Sequence, residues 1–329
     1  MKDIQTIPVF FTFDVNYLLA ARVAIHSMMK HASRKYEYAL YIFHTTLREE
    51  DQQSLRDSLK EFSHATLHFI DVRQYDDKIS SFGTKAHYSK EIFYKLIAAD
   101  VLPQYDRIIC SDVDVVFTGD FSPVFFMFPE EKFYYAGVGP VENSRMPYYK
   151  ADFSEAEMAV LEHEIAAGFL LINLKALRED RKQDEIINFY VRNYPRLRLP
   201  EQDCIILTCW PYIKYLPVGY SLPVSFYHLN MNKREFYQGN TEFAGDKTQA
   251  LARFREGLAH PIQIHYAGFD KPWNCFRLTR RKDWMQAMRE TPGGLTLYLK
   301  LLPWNLLRRT KRYSLKRFLR KTYHKIIRR

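Results

Sequence analysis

The chain has 329 residues, 47% of them hydrophobic and 26% charged, which supplies a large buried core and excludes a disordered or low-complexity polymer. Its formal net charge of +10 is concentrated at one end: no acidic residue follows Glu290, and residues 291–329 carry 12 of the 48 Lys and Arg, leaving 36 basic against 38 acidic side chains in the body. A near-neutral body argues against a protein that wraps nucleic acid with basic stripes across its surface.

In chain order, short β-rich runs alternate with amphipathic helical runs, the pattern of an α/β fold with a mostly parallel sheet covered by helices. Ile7–Phe13 predicts a buried strand, Tyr17–Lys30 a helix and Tyr38–Phe43 a second strand. Leu47, Leu55, Leu59 and Phe62 recur at near-helical spacing, so Arg48–Phe62 predicts a surface helix, and Ala65–Val72 follows as a third strand. A helix over Ser89–Leu102 is expected to stop at Pro103, and Arg107–Phe117 to resume as a strand that delivers an acidic pair. Further on, Phe133–Val138 and Gly168–Leu174 predict strands, Asp180–Tyr194 and Glu201–Cys209 helices, and Pro261–Tyr266 a strand leading into a loop.

There are 12 glycines and neither a GxGxxG nor a GxxxxGK[ST] arrangement, so a bound phosphate would need something other than a glycine-rich cradle. Cys110, Cys204, Cys209 and Cys275 lack zinc spacing, and Met1-Lys2-Asp3 opens no signal peptide, which together predict a cytoplasmic protein. No uninterrupted apolar run approaches the ~18 residues of a spanning helix.

The acidic pair lies in Ile108-Ile109-Cys110-Ser111-Asp112-Val113-Asp114-Val115-Val116-Phe117. Carboxylates in so apolar a context need a cation. Hard oxygen ligands suit Mg²⁺ or Mn²⁺, which can bridge a diphosphate; a turn cap plus one ion pair is the plainer use of the same two residues. A second block, His265-Tyr266-Ala267-Gly268-Phe269-Asp270-Lys271-Pro272-Trp273, offers an imidazole to complete a metal shell, and a backbone amide and an ammonium for a phosphate.

With these residues in view, the chain resembles glycosyltransferase family 8, the retaining enzymes that include bacterial lipopolysaccharide galactosyl- and glucosyltransferases. The matching blocks, in order, are Phe13-Asp14-Val15-Asn16-Tyr17, Tyr94-Lys95-Leu96, Ser111–Asp114, Ala167–Leu174, Glu201-Gln202-Asp203 and His265–Trp273. The resemblance, which spans Ile7–Trp273, implies a GT-A fold, assigned to residues 1–290, with the basic segment 291–329 set apart as a tail by its charge. It implies uridine contacts from Thr12, Asp14 and Asn16, and Mn²⁺ (or Mg²⁺) on Asp112, Asp114 and His265. It puts the diphosphate on Gly268 and Lys271, and further donor contacts on Lys95, Val113, Ala167, Glu201 and Gln202. Gln202, with Asp203 beside it, matches the residue closest to the anomeric carbon; whether retention runs through a covalent intermediate or front-face attack is left open. Ala166 stands where the family usually has Asn, Gly139 near a common Asp, and Lys95 in place of Arg. These positions contact the sugar hydroxyls and the phosphate region in the family, so the donor sugar stays open.

In the tail, Leu315, Phe318, Leu319, Tyr323, Ile326 and Ile327 recur at helical spacing among seven Lys and Arg, behind apolar anchors from Leu299 to Leu307. Such a basic amphipathic helix predicts an anionic membrane surface as partner and a lipid-linked saccharide as acceptor, at the inner face of the cell membrane. The alternative is a non-catalytic α/β scaffold that binds nucleic acid through the tail, or a soluble transferase acting on protein or storage polysaccharide.

Overall fold

A continuous apolar run, rather than an alternating one, marks a strand covered on both faces. β1 (Thr6–Thr12) and β2 (Glu37–His44) fit that description: every residue from Ile7 to Thr12 and from Tyr38 to His44 is buried. The computed structural model describes residues 4–78, 90–142, 151–307, 309 and 310. Its other strands are β3 (Ala65–Asp71), β4 (Arg107–Ser111), β5 (Val115–Phe117), β6 (Tyr135–Val138), β7 (Ala166–Asn173), β8 (Ile213–Leu216), β9 (Leu222–Pro223) and β10 (Gln263–His265).

Seven of these form one sheet in the order β3-β2-β1-β4-β7-β6-β8, and β5-β10-β9 form a second. In the large sheet only β7 runs against its neighbours; the other pairings are parallel. Successive side chains alternate between two cores. Val9, Phe11, Leu40, Ile42, Ile109 and Leu171 pack with α1 (Leu18–His31), whereas Phe10, Tyr41, Phe43, Ile108, Cys110, Leu170 and Ile172 face the opposite layer. That layer is supplied by α5 (Leu174–Glu179), α6 (Lys182–Asn193) and α7 (Pro200–Cys209). The expected mixed α/β architecture is therefore present.

Three expectations need correction. Arg107–Phe117 is two strands in two sheets, not one: β4 belongs to the large sheet and β5 to the small one. The break falls on Asp112–Asp114, as it should if two carboxylates cannot remain within an apolar sheet. The stretch before Pro103 is a 3-10 helix over Lys90–Ile97 followed by a single α-turn, α3 (Ala98–Val101), with Ser89 outside the described residues. Glu91, Phe93, Tyr94, Lys95, Leu96 and Ile97 are all buried, so this segment has no solvent stripe to enforce a 3.6-residue period. Lastly, β6 begins at Tyr135 rather than Phe133. The surface helix is α2 (Glu49–Ser58).

Four helices had no sequence expectation: α4 (Glu155–Leu161), α5, α8 (Lys247–Ala259) and α9 (Arg281–Glu290). The first turn of α4 is closed by a reciprocal pair, Ser154 accepting from the Glu157 amide and Glu157 from the Ser154 amide. Beyond α9 a further helix covers residues 294–307, packing Leu297, Leu301 and Leu302 on the core with Tyr298 buried. Its start is tied down where the buried Arg22 of α1 donates to the Pro292 carbonyl. Leu295, Leu299, Trp304 and Leu307 are exposed. The amphipathic stretch from Leu315 to Arg329 lies outside the described residues. No described helix is long and apolar enough to cross a membrane.

Glu157 also accepts from Arg196 at 2.6 Å, and that guanidinium holds its carboxyl down to about 2. A depressed carboxyl stabilises the fold above the ordinary carboxylate range and ceases to do so as pH falls toward the depressed value. Glu157→Gln should therefore cost about 1 kcal/mol at pH 7, a deficit that shrinks between pH 5 and pH 3; urea titrations at the three pH values measure it.

Candidate active site

The junction between β4 and β5 holds Asp112-Val113-Asp114, and the two-residue spacing puts both carboxylates on one side while Val113 turns into the core. The backbone fixes the junction from two directions: the Asp112 amide donates to the Gly168 carbonyl at 3.0 Å, and the Asp114 carbonyl accepts from the Tyr266 amide at 2.9 Å. His265 ends β10, opposite Val115 of β5. Its Nε2 lies 3.6 Å from Asp112 Oδ2 and 3.3 Å from Asp114 Oδ1. One ligand atom from each of the three residues falls within 4.8 Å of the others, the one such group found among the described residues. Two carboxylate oxygens and an imidazole nitrogen are a donor set that fits Mn²⁺ or Mg²⁺.

Each aspartate also carries a lysine. Lys95 Nζ is 2.6 Å from Asp112 Oδ1 and 3.6 Å from Glu201 Oε1, and donates to the Ala167 carbonyl at 3.0 Å. Lys271 pairs with Asp114 and donates to the Tyr266 carbonyl at 2.8 Å. Burial pushes the Asp114 carboxyl up, but Lys271 and His265 outweigh it and hold the group far below the usual range. Burial likewise opposes charge on Lys95, and Asp112 with Glu201 more than restores it. Glu201 itself is raised, chiefly by burial.

Gly168 is required by a close approach. A Cβ there would stand 2.5 Å from His265 Nδ1 and 2.6 Å from its Cε1, so only a bare backbone lets β7 pass the imidazole. Gly268 has φ +90 with nothing within 4 Å of a Cβ position, a left-handed bend after which Lys271 turns back, its amide donating to Asn274 Oδ1 at 2.9 Å.

The remaining expected residues fall at the same end of the parallel strands, where open α/β sheets place ligands. Thr12 closes β1, its hydroxyl donating to the Glu91 carbonyl at 2.7 Å. Asp14 accepts from the Asn16 amide at 2.8 Å and from its Nδ2 at 3.1 Å, opening the turn Val15–Tyr17. Tyr17 meets Trp273 edge-on at 5.8 Å, Trp273 meets Trp284 at 5.5 Å, and Trp284 meets Tyr298 at 6.3 Å. Gln202, in the first turn of α7, accepts from the Ala167 amide at 3.3 Å and donates to Glu164 at 2.9 Å. Asp203 is fully buried and accepts from the Leu199 amide at 3.0 Å and from that of Arg198, satisfying donors ahead of the helix start.

Sequence reasoning missed Glu164, which no motif marks, and Asn274, one residue beyond the block that was read. The Gly139 departure has a physical counterpart: a Cβ there would stand 2.5 Å from the Tyr215 ring, which fills the space.

The model of glycosyl transferase family 8 matches residues 8–276. No curated protein matches the chain by sequence. Among solved structures, the chain is similar to the bifunctional glycosyltransferase WbbM at 20% identity and a TM-score of 0.69, over 89% of this chain and 51% of that one. It is similar to the galactosyltransferase LgtC, solved with donor and acceptor sugar analogues, at 17% identity and a TM-score of 0.64, over 85% and 95%. Mouse xyloside xylosyltransferase 1 follows at 14% and 0.51, over 80% and 97%. The chain thus spans about half of WbbM and nearly all of LgtC, and the shared architecture is the GT-A-like one.

Gly168→Ala should displace His265 and weaken Mn²⁺ binding by roughly 10- to 100-fold, the range for disturbing a ligand's support. Calorimetric titration with Mn²⁺, beside a circular dichroism spectrum unchanged from wild type, checks this.

Proposed function

Because the chain belongs to glycosyl transferase family 8, we propose that it moves a hexose from a UDP-sugar to a saccharide acceptor with retention at the anomeric carbon, in the synthesis of lipopolysaccharide or another cell-surface glycan. The observation that carries this reading is the convergence of Asp112, Asp114 and His265 with Lys95 and Lys271 at one end of the sheet. A nucleic-acid-binding scaffold would make no use of that convergence.

In this reading Asp112, Asp114 and His265 hold Mn²⁺ or Mg²⁺, which supplies positive charge to the diphosphate. Lys271 and the Gly268 amide bind the diphosphate from the loop after β10, so that negative charge growing on the departing UDP meets a cation already in place. Thr12, Asp14 and Asn16 receive the uridine. Lys95, Val113, Ala167 and Glu201 line the donor side, Lys95 from a fully enclosed position that fixes its ammonium. Gln202 faces the anomeric centre. Asp203 stands beside it and, by fixing the start of α7, also fixes the place of Gln202.

The acceptor is a lipid-linked saccharide, and the chain works at the inner face of the cell membrane as a peripheral protein. The 12 basic residues after Glu290 and the exposed Leu295, Leu299, Trp304 and Leu307 support this placement. The donor sugar follows from a screen of UDP-glucose, UDP-galactose and their N-acetyl forms. One of these should show Mn²⁺-dependent hydrolysis or transfer, which chelation or Asp114→Ala should lower by at least ~100-fold. Silence toward every UDP-sugar with metal present would overturn the assignment.

A further inference from the structure

Gln202 is held at both ends of its amide. The Ala167 amide can only donate, so the group facing it at 3.3 Å is the Gln202 oxygen, and the nitrogen is therefore the end that reaches Glu164 Oε1 at 2.9 Å. Glu164 comes from the turn between α4 and β7, which packs along α7 and so brings a carboxyl to the first turn of that helix. Its charged surroundings are unusual. Glu201 and Asp203 approach from α7, and Lys95 is engaged with Asp112 and Glu201 on the far side. On its own turn His163 is stacked on Trp210 at 3.6 Å and bonded to Tyr237, while Tyr215 of β8 donates to the His163 carbonyl at 3.3 Å.

Although Glu164 keeps part of its surface open, burial first and Asp203 second push its carboxyl up to about 8. A raised carboxyl contributes most to folding below the ordinary carboxylate range and loses that contribution as pH rises toward 8. A carboxyl so shifted and bonded to Gln202 points to use in the site.

We propose that Glu164 is the positioning residue of Gln202: it fixes the amide with its oxygen toward β7 and leaves the second N–H for the donor sugar. The proposal rests on the reading of Gln202 given above. Neutral at pH 7, Glu164 accepts one hydrogen bond without adding a third negative charge beside Glu201 and Asp203, in a pocket that must admit a diphosphate. Above pH 8 that charge arrives, and donor turnover falls.

The test uses the full chain, Mn²⁺ and the responsive UDP-sugar, with Glu164→Leu and Glu164→Gln compared with wild type. The Leu variant leaves Gln202 without its acceptor, and kcat should drop roughly 10- to 100-fold while KM for the UDP-sugar changes less than ~3-fold, the mark of lost positioning rather than lost binding. The Gln variant keeps an acceptor oxygen and cannot ionise, so kcat at pH 7 should be retained and the alkaline fall near pH 8 should vanish. A second readout needs no turnover. The side-chain amide signal of Gln202 in ¹⁵N-labelled protein, assigned by its loss in Gln202→Glu, should move with a midpoint near pH 8 in wild type. It should hold still in Glu164→Gln and shift to a solvent-exposed position in Glu164→Leu. An unchanged signal in the Leu variant, or an alkaline shift that persists in the Gln variant, overturns the proposal, and the Gln arm suffices should the Leu variant not fold. If the signal behaves as expected but no UDP-sugar is consumed, the clamp stands and the assigned reaction falls.

Discussion

Two carboxylates in the middle of an apolar run set the terms for everything around them. Left in the interior without partners, Asp112 and Asp114 would each cost several kcal/mol. The chain answers by leaving the seven-stranded sheet at Ser111 and entering the three-stranded one at Val115, so the acids sit at a seam between sheets. The seam must then be closed by backbone from elsewhere, and Gly168 and Tyr266 supply it. Because Gly168 has no side chain, β7 comes close enough for His265 to stand over it. The lysines complete the arrangement, one on each acid. Fold and site are in this sense one solution to a single electrostatic demand.

That demand was legible in the sequence, as were the strands whose two faces are buried. Ile7–Phe13 and Tyr38–Phe43 read correctly because continuous apolar or β-branched runs leave few other structures available, and the half-exposed edge strand Ala65–Val72 was found as well. The blocks around Asp112, His265 and Lys271 could be recognised because several chemically distinct residues cluster within a few positions. What escaped lacked such local signals. The 3-10 character of Lys90–Ile97 follows from burial on all sides, which erases periodicity. The division of Arg107–Phe117 between two sheets depends on β10, some 150 residues away. Asp203 and Gln202 are adjacent in sequence, yet one satisfies the amides before α7 and the other turns to Ala167 and Glu164; nothing in the triplet distinguishes them.

Departures from the family pattern become more informative once placed in space. Gly139 is the condition for Tyr215 to lie flat against the end of β6. The Tyr215 hydroxyl donates to the His163 carbonyl, and the His163 ring packs on Trp210 and Tyr237, on the turn that also carries Glu164. Where the family pattern suggests an acid near this point, the Tyr215 ring takes the space instead.

The four rings from Tyr17 through Trp273 and Trp284 to Tyr298 have a mechanical meaning. They lead from the loop after β1 to the helix over residues 294–307, and Arg22 of α1 clamps the start of that helix at Pro292. The helix over residues 294–307 is thus bolted to the loop after β1 by close-packed side chains instead of hanging from a linker. Any surface against which that helix comes to rest inherits a fixed bearing on the end of the sheet that carries Asp112, Asp114 and His265.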